Sequence, residues 1–288
     1  GRTTVTIALA RAAARRGKRV LLTEVGDVDG EPSPLGRIIG RPTLGAEPIP
    51  LASGLDACHL SARAGHEGFL RSVLPGAPLI KAALRSRAVE RFLTAAPSFH
   101  EMGIFYHLLS LLRATRPDGR RRHELIVVDM PATGHTLALT GLPDILLRLI
   151  PGGPIVDALH EGRAILNDPR QGAAWVVTLP EQLPVTEAIE LLAGLDETSM
   201  PAGGVLLNRM PQDPFTPAER AALDPWIAGR ELLGELAFRR IEAAEAALDR
   251  LRHAVDEPVL LLPEIPGDDP IEGLAAAFDA HLGPAVER

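Results

Sequence analysis

Gly1-Arg2-Thr3-Thr4 stands immediately ahead of an amphipathic helical pattern, and Asp129 closes the apolar run Leu125-Ile126-Val127-Val128. These residue types suit the chemistry of bound phosphate. Free N–H groups at a helix start attract anions. A threonine hydroxyl there can ligate a hard divalent cation, and a basic side chain can meet outer phosphate oxygens. A carboxylate at the end of a buried strand can hold a metal-bound water. Met130-Pro131-Ala132-Thr133-Gly134-His135-Thr136 follows Asp129, and the amides of this glycine-containing turn can face a terminal phosphate. The plainer reading of Asp129 is a carboxylate capping a turn after an ordinary core strand. Gly1-Arg2-Thr3 matches the end of the phosphate-binding pattern G-x-x-x-x-G-K-[ST], with arginine where the lysine belongs.

The elements that must position these groups are legible in the hydrophobic pattern. Val5, Ala8, Leu9, Ala12 and Ala13 share one helical face, Arg11, Arg15 and Arg16 lie off it, and Gly17 is a C-cap candidate. A strand is expected over Lys18 to Glu24. Helix, glycine, basic turn and strand make half of a βαβ unit. The strand that should precede the helix, and the start of the phosphate loop, are expected to be missing from the sequence. Weak or no nucleotide binding is therefore expected of residues 1–288 alone.

Residues 25 to 55 read as a loop, with turns at Asp29-Gly30, Pro32 and Pro34. Residues 56 to 122 look mostly helical. Phe69, Val73 and Leu74 fit one helix, and Met102, Phe105, Tyr106, Leu109 and Leu112 form a stripe on another. That stripe reads first as ordinary core and second as a client-binding groove. A helix is expected from Thr136 to Ile150 with a break at Pro143. Gly152 to Asp168 shows no clear pattern. Strands are expected at Trp175–Leu179, Gly204–Arg209 and Pro258–Leu262. A helix from Pro184 to about Leu195 separates the first two. A helical stretch from Pro217 to Ala254, broken at Pro225 and Gly234, precedes the last strand, and a closing helix runs from Pro270 to Leu282. Apolar strands alternating with helices predict an α/β fold, doubly wound around a mainly parallel sheet. It spans residues 1–288 as one domain, with residues 56–122 as an inserted helical subdomain.

Composition narrows the function classes. The chain has 288 residues, 46% of them hydrophobic, and a formal net charge of −7. Arg120-Arg121-Arg122 is too short to suggest a nucleic-acid groove and reads as a solvated loop. No apolar run approaches the roughly 20 residues that span a bilayer, so no stable membrane insertion is expected. Cys58 is the only cysteine. It rules out an intrachain disulfide or a multi-cysteine zinc site within one protomer, and a reducing cytoplasm fits. The nine histidines show no zinc-ligand spacing, and no Gly-x-Ser-x-Gly elbow is present. His135 reads as a hydrogen-bonded turn residue.

Several of these segments together resemble the ArsA-type anion-transporting ATPases, relatives of the ATPases that target tail-anchored membrane proteins. Gly1-Arg2-Thr3-Thr4 resembles the end of that family's deviant P-loop, G-K-G-G-V-G-K-T-T. Asp129 to Thr136, D-M-P-A-T-G-H-T, resembles its switch II segment, D-T-A-P-T-G-H-T. Val176 to Glu187 resembles its V-T-x-P-E-x-L-x-x-x-E segment, and Val205 to Arg209 its V-V-N-R strand end. Leu260 to Gly267 resembles the late loop that packs on the base. The resemblance implies a P-loop fold that binds ATP with Mg²⁺, and a dimer whose conformation is coupled to hydrolysis. Carried over by position, Arg2 stands at the phosphate lysine and Thr3 at the metal ligand, with Gly1 and Thr4 beside them. Asp129 would hold the metal-bound water, and Gly134 would offer its N–H to the γ-phosphate. Asn208 and Arg209 would meet adenine, with Pro263, Glu264 and Ile265 along the base pocket.

The departures motivate a second reading. The family's second strand ends in D-x-D-P, whereas Glu24-Val25-Gly26-Asp27 places a glycine where the water-orienting acid belongs. Asp27 or Asp29 would have to substitute after a register change. Arginine keeps the charge at the phosphate but does not copy a compact ammonium. The proline of switch II is shifted by one, the Cys-x-x-Cys of the targeting branch is absent, and the chain has only four methionines. The first reading is an ATP-hydrolysing homodimer, or a heterodimer with a paralogue, that handles an anion or an unknown protein client. The second is a catalytically impaired nucleotide-binding scaffold paired with an active paralogue. A partitioning or division ATPase of the ParA or MinD kind would need a basic DNA face or a C-terminal amphipathic helix. Phe278 to Pro284 is short and not basic. One cysteine cannot chelate a metalloid, so no arsenite site is expected.

Overall fold

The computed structural model describes residues 1–25, 33–73, 99–130, 133–149, 152–227, 234–267 and 269–281. The chain begins with α1 (Arg2–Arg15) and β1 (Val20–Val25), then α2 (Pro34–Ile38), β2 (Ile49–Ala52) and β3 (Leu55–Leu60). Helices α3 (Ala62–Val73) and α4 (Phe99–Arg113) precede β4 (Leu125–Asp129). Then come α5 (Thr133–Leu149), α6 (Pro154–Leu166), β5 (Ala174–Thr178), α7 (Gln182–Glu197) and β6 (Ala202–Met210). Helices α8 (Pro217–Ile227) and α9 (Glu235–Ala254), β7 (Val259–Pro263) and α10 (Pro270–His281) complete the described chain.

The strands form two hydrogen-bonded sheets, in the orders β2-β3-β1-β4 and β5-β6-β7. β1 is parallel to both β3 and β4, and β6 is parallel to both β5 and β7. Parallel neighbours need a crossover, and the helices between them supply it. β2 is the exception, pairing antiparallel with β3.

One core ties the two sheets together. The α1 residues Val5, Ala8 and Ala12 pack with Val20 and Leu22 of β1, Leu206 of β6, Leu262 of β7 and Leu274 and Phe278 of α10. The small α1 residues Ala8, Ala10 and Ala12 are fully buried and let the helix lie close to the strands. On the opposite face, α7 and α9 cover the second sheet through Val185, Leu192, Leu248 and Leu251. Ile104 and Leu111 of α4, with Leu139 of α5, cover Leu21 and Leu60 of the first. The result is helix, sheet, helix: a doubly wound α/β layering.

Several local expectations need correction. Within the expected loop of residues 25–55, α2 and β2 are ordered. β2 escapes the pattern because Pro50 interrupts it, and an edge strand tolerates a proline. Residues 56–60, expected as helix, belong to β3. Asp56, Cys58 and His59 are poor strand formers locally, and pairing on both sides with β1 and β2 overrides that. Pro143 does not break its helix. Leu142 and Leu146 beside it are 1% and 6% exposed, and that burial offsets the cost of about 3 kcal/mol for an interior proline. Pro225 likewise sits inside α8. Residues 154–166, which carried no clear pattern, are α6. In the α4 stripe, Met102, Phe105 and Leu109 are buried core. Leu74 and Leu282 lie outside the described residues, as do Asp29, Gly30 and Pro32.

The helices α3 and α4 approach unusually closely. A Cβ on Gly65 would meet the Gly103 carbonyl oxygen at 1.7 Å, and one on Gly103 would meet the Ala62 oxygen at 2.5 Å. Only glycine at both positions permits this crossing. Among the described residues, no helix is long and apolar enough to cross a membrane.

Candidate functional site

The C-terminal ends of parallel strands are where an open α/β sheet gathers its ligand groups. Here Glu24, His59 and Asp129 stand in register at the C-terminal ends of β1, β3 and β4, the first two one residue before their strands end. Val20, Leu22 and Val127 point into the core beneath α1. By strand alternation, Glu24 and Asp129 lie on that same face. The apolar core under α1 thus ends, at this edge, in a row of polar side chains.

The first turn of α1 closes over that row. Gly1 is the N-cap of α1. The charges of Arg209 and Asp129 both reach it, so all three share one electrostatic neighbourhood. The Thr3 hydroxyl lies beside the Asp129 carboxylate, and the Thr6 hydroxyl, one turn further, is a second neighbour. The Thr6 hydroxyl also donates to the Arg2 carbonyl at 3.0 Å.

Burial pushes the Asp129 carboxyl above its ordinary pKa, and the nearby Glu24 charge adds to this. The Thr3 hydroxyl, the Arg2 charge and the Thr6 hydroxyl pull the other way. Asp129 thus stands half-buried between two hydroxyls and a guanidinium. The donors here are oxygens, the class that suits a hard divalent ion. No group of three or more His, Cys, Asp or Glu side chains that could hold a metal occurs among the described residues. An ion at this place would complete its shell with phosphate and water oxygens.

A second group of candidates gathers at the ends of β6 and β7. Asn208 is 3% exposed, and the next residue, Arg209, is exposed with φ +61°. A non-glycine residue in that region is uncommon and concentrates at ligand-facing turns. Met210 and Pro263 are in register, and the Glu264 N–H donates to the Met210 carbonyl at 2.9 Å. The Glu264 carboxylate accepts from Arg240 of α9 at 2.8 Å, which holds its pKa below the ordinary value. Ile265 leans on Gly273 of α10, where a Cβ would meet its side chain at 2.8 Å, and so belongs partly to the core.

The fold therefore brings Gly1, Arg2, Thr3, Thr4 and Asp129 together, and it brings Asn208, Arg209, Pro263, Glu264 and Ile265 together. Arg209 links the two groups through Gly1. Gly134 lies in the first turn of α5, which follows directly on β4. Asp27 and Gly26 lie outside the described residues, as do Pro131 and Ala132. Two residues at this edge escape a sequence reading. Thr6 falls one helical turn after Thr3, a spacing that could have flagged it. Glu24 is an acid ending an apolar strand, the same signal that singled out Asp129.

No family model matches the chain. The chain is 28% identical over 214 residues to ATPase BagA of Mycobacterium tuberculosis, a match covering 73% of this chain and 62% of that protein. A Mycobacterium bovis protein provisionally named ATPase Mb3704 matches with the same identity and coverage. The chain spans just under two thirds of the length of these relatives, and both carry the name ATPase.

Proposed function

We propose that this chain is an ATPase of the ArsA type, binding MgATP at the C-terminal edge of its sheet and hydrolysing it. The observation that carries this reading is that the Thr3 hydroxyl, in the first turn of α1, lies beside the Asp129 carboxylate at the end of β4. A hydroxyl, a carboxylate and the N–H groups of a helix start are the groups that one Mg²⁺–phosphate unit would use. Relatives named as ATPases favour turnover over the scaffold reading.

Each residue then has a task. The α1 amides and Arg2 bind the outer phosphates, with Gly1 and Thr4 shaping the turn. Thr3 ligates the ion and Asp129 holds its water. The Gly134 N–H faces the γ-phosphate, and Asp27 orients the attacking water. Asn208 and Arg209 meet the base, with Pro263, Glu264 and Ile265 lining its pocket. Magnesium would supply charge neutralisation across the phosphates, and the chain's own groups would position nucleotide and water.

β4 and β5 are the outer strands of their sheets, and α1 packs against both. Their apolar residues are more open than those of β1, with Leu125 37% and Trp175 41% exposed. The reading extends to a dimer, of two copies or with a paralogue, in a reducing cytoplasm, that passes an anion or a protein client.

Single-turnover hydrolysis of ATP by the full-length protein tests the central point, with Asp129→Asn as the control. Turnover above the control is expected by on the order of 10²-fold, and equal rates overturn the proposal.

A further inference from the structure

Glu24 is a carboxylate that the site described above leaves without a task. It is 4% exposed, at the C-terminal end of β1, in register with Asp129 on one side and His59 on the other. Its Oε2 accepts the backbone N–H of Leu35 at 3.1 Å, across the connection that leaves β1 and returns at α2. The other oxygen, Oε1, has His59 Nδ1 3.8 Å away. Burial would raise the pKa of this group. His59, the Ser33 hydroxyl and the Leu35 N–H outweigh that and hold it below the ordinary value.

A buried charge is costly unless something specific keeps it. A plain cap for a five-residue helix does not need one, because the Ser33 hydroxyl already accepts the Gly36 N–H at 2.6 Å. What Glu24 adds is a tie between segments. It sits one residue before the end of β1 and grips the backbone two residues after the chain returns at Ser33. Leu35, the gripped residue, is fully buried against α1 in the main core. One side chain therefore fixes both ends of the connection to the sheet edge that carries Asp129, and fixes them relative to α1.

We infer that Glu24 is a positioning residue of the hydrolytic site, a clasp that holds α2 and the end of β1 in fixed register beside Asp129 and the start of α1. This rests on the ATPase reading for its kinetic consequence and on geometry alone for its structural one. The phosphate and base groups lie on other elements, so nucleotide affinity does not depend on the clasp. The placement of Asp129, in register with Glu24 on the neighbouring strand, does.

The test uses the full-length protein as wild type, Glu24→Ala, Glu24→Gln and Ser33→Ala. Glutamine keeps an acceptor for the Leu35 N–H, and alanine does not. Amide exchange at Leu35 should quicken about tenfold in Glu24→Ala, stay near wild type in Glu24→Gln, and move less in Ser33→Ala. The kcat for ATP should fall about tenfold in Glu24→Ala with KM unchanged, and recover in Glu24→Gln. Unaltered exchange in Glu24→Ala overturns the clasp, as does Glu24→Gln behaving like Glu24→Ala. A parallel rise in KM reduces Glu24 to a fold-stabilising residue and also overturns it. If Glu24→Ala does not fold, Ser33→Ala and Glu24→Gln decide through exchange at Leu35. Wild type that turns over no ATP defeats the ATPase reading instead, and the exchange comparison still decides the clasp.

Discussion

The Thr3 hydroxyl stands beside the Asp129 carboxylate, bringing the first turn of α1 to the last residue of β4. If this pair shares one magnesium ion, Thr3→Ala should lower single-turnover ATP hydrolysis by on the order of 10²-fold. Thr3→Ser should restore most of it, and the loss should shrink as Mg²⁺ is raised. A magnesium titration of both variants in the full-length protein checks this. Equal activity in wild type and Thr3→Ala would show that the pair does not hold the ion.

Asn208 is buried where β6 ends, beside the exposed Arg209. An amide that pairs with a base contributes about 1–3 kcal/mol when its partner would otherwise be left unpaired. Asn208→Ala should therefore weaken ATP binding by about 10- to 100-fold and narrow the preference for ATP over GTP. Calorimetric titration with both nucleotides measures it. An unchanged preference would remove Asn208 from the base pocket.

The Gly65–Gly103 crossing sets a packing prediction. In Gly103→Ala the new methyl meets the Ala62 oxygen at 2.5 Å and the His66 Nε2 at 2.8 Å. Overpacking of this kind costs about 1–3 kcal/mol, and Gly65→Ala should cost at least as much. Gly152→Ala, with nothing within 4 Å of its new atom, should stay within about 0.5 kcal/mol of wild type. Urea midpoints of the three variants give the comparison.

Cys58 is buried, and burial pushes its thiol up to about 11 from 9.0, with the Thr23 hydroxyl opposing. The protonated thiol favours the folded chain. That contribution is complete below pH 9.0 and is lost as pH rises through about 11. At pH 8 the folded thiol should react with a soluble alkylating agent at least about tenfold more slowly than the same thiol in urea. Labelling followed by mass measurement tests this, and equal rates would contradict the burial.

How much of this could be read from the chain alone follows from the range of each interaction. Gly1-Arg2-Thr3 before an amphipathic helix, and Asp129 after four apolar residues, are local patterns. Backbone geometry turns such patterns directly into a helix start and a strand end. The alternation of apolar strands with helices likewise announced the α/β layering. What lay beyond reach depended on partners distant in sequence. β3 is a strand because β1 and β2 flank it, whatever Asp56 and His59 prefer. Glu24 matters because the Leu35 N–H and the His59 ring surround it. Gly65 and Gly103 become irreplaceable only once two helices cross there. The sequence by itself determined that Thr3 opens a helix and that Asp129 closes a strand. Tertiary packing alone decided which of them meet, because burying a charge, or pressing backbone on backbone, depends on neighbours the local chain does not contain.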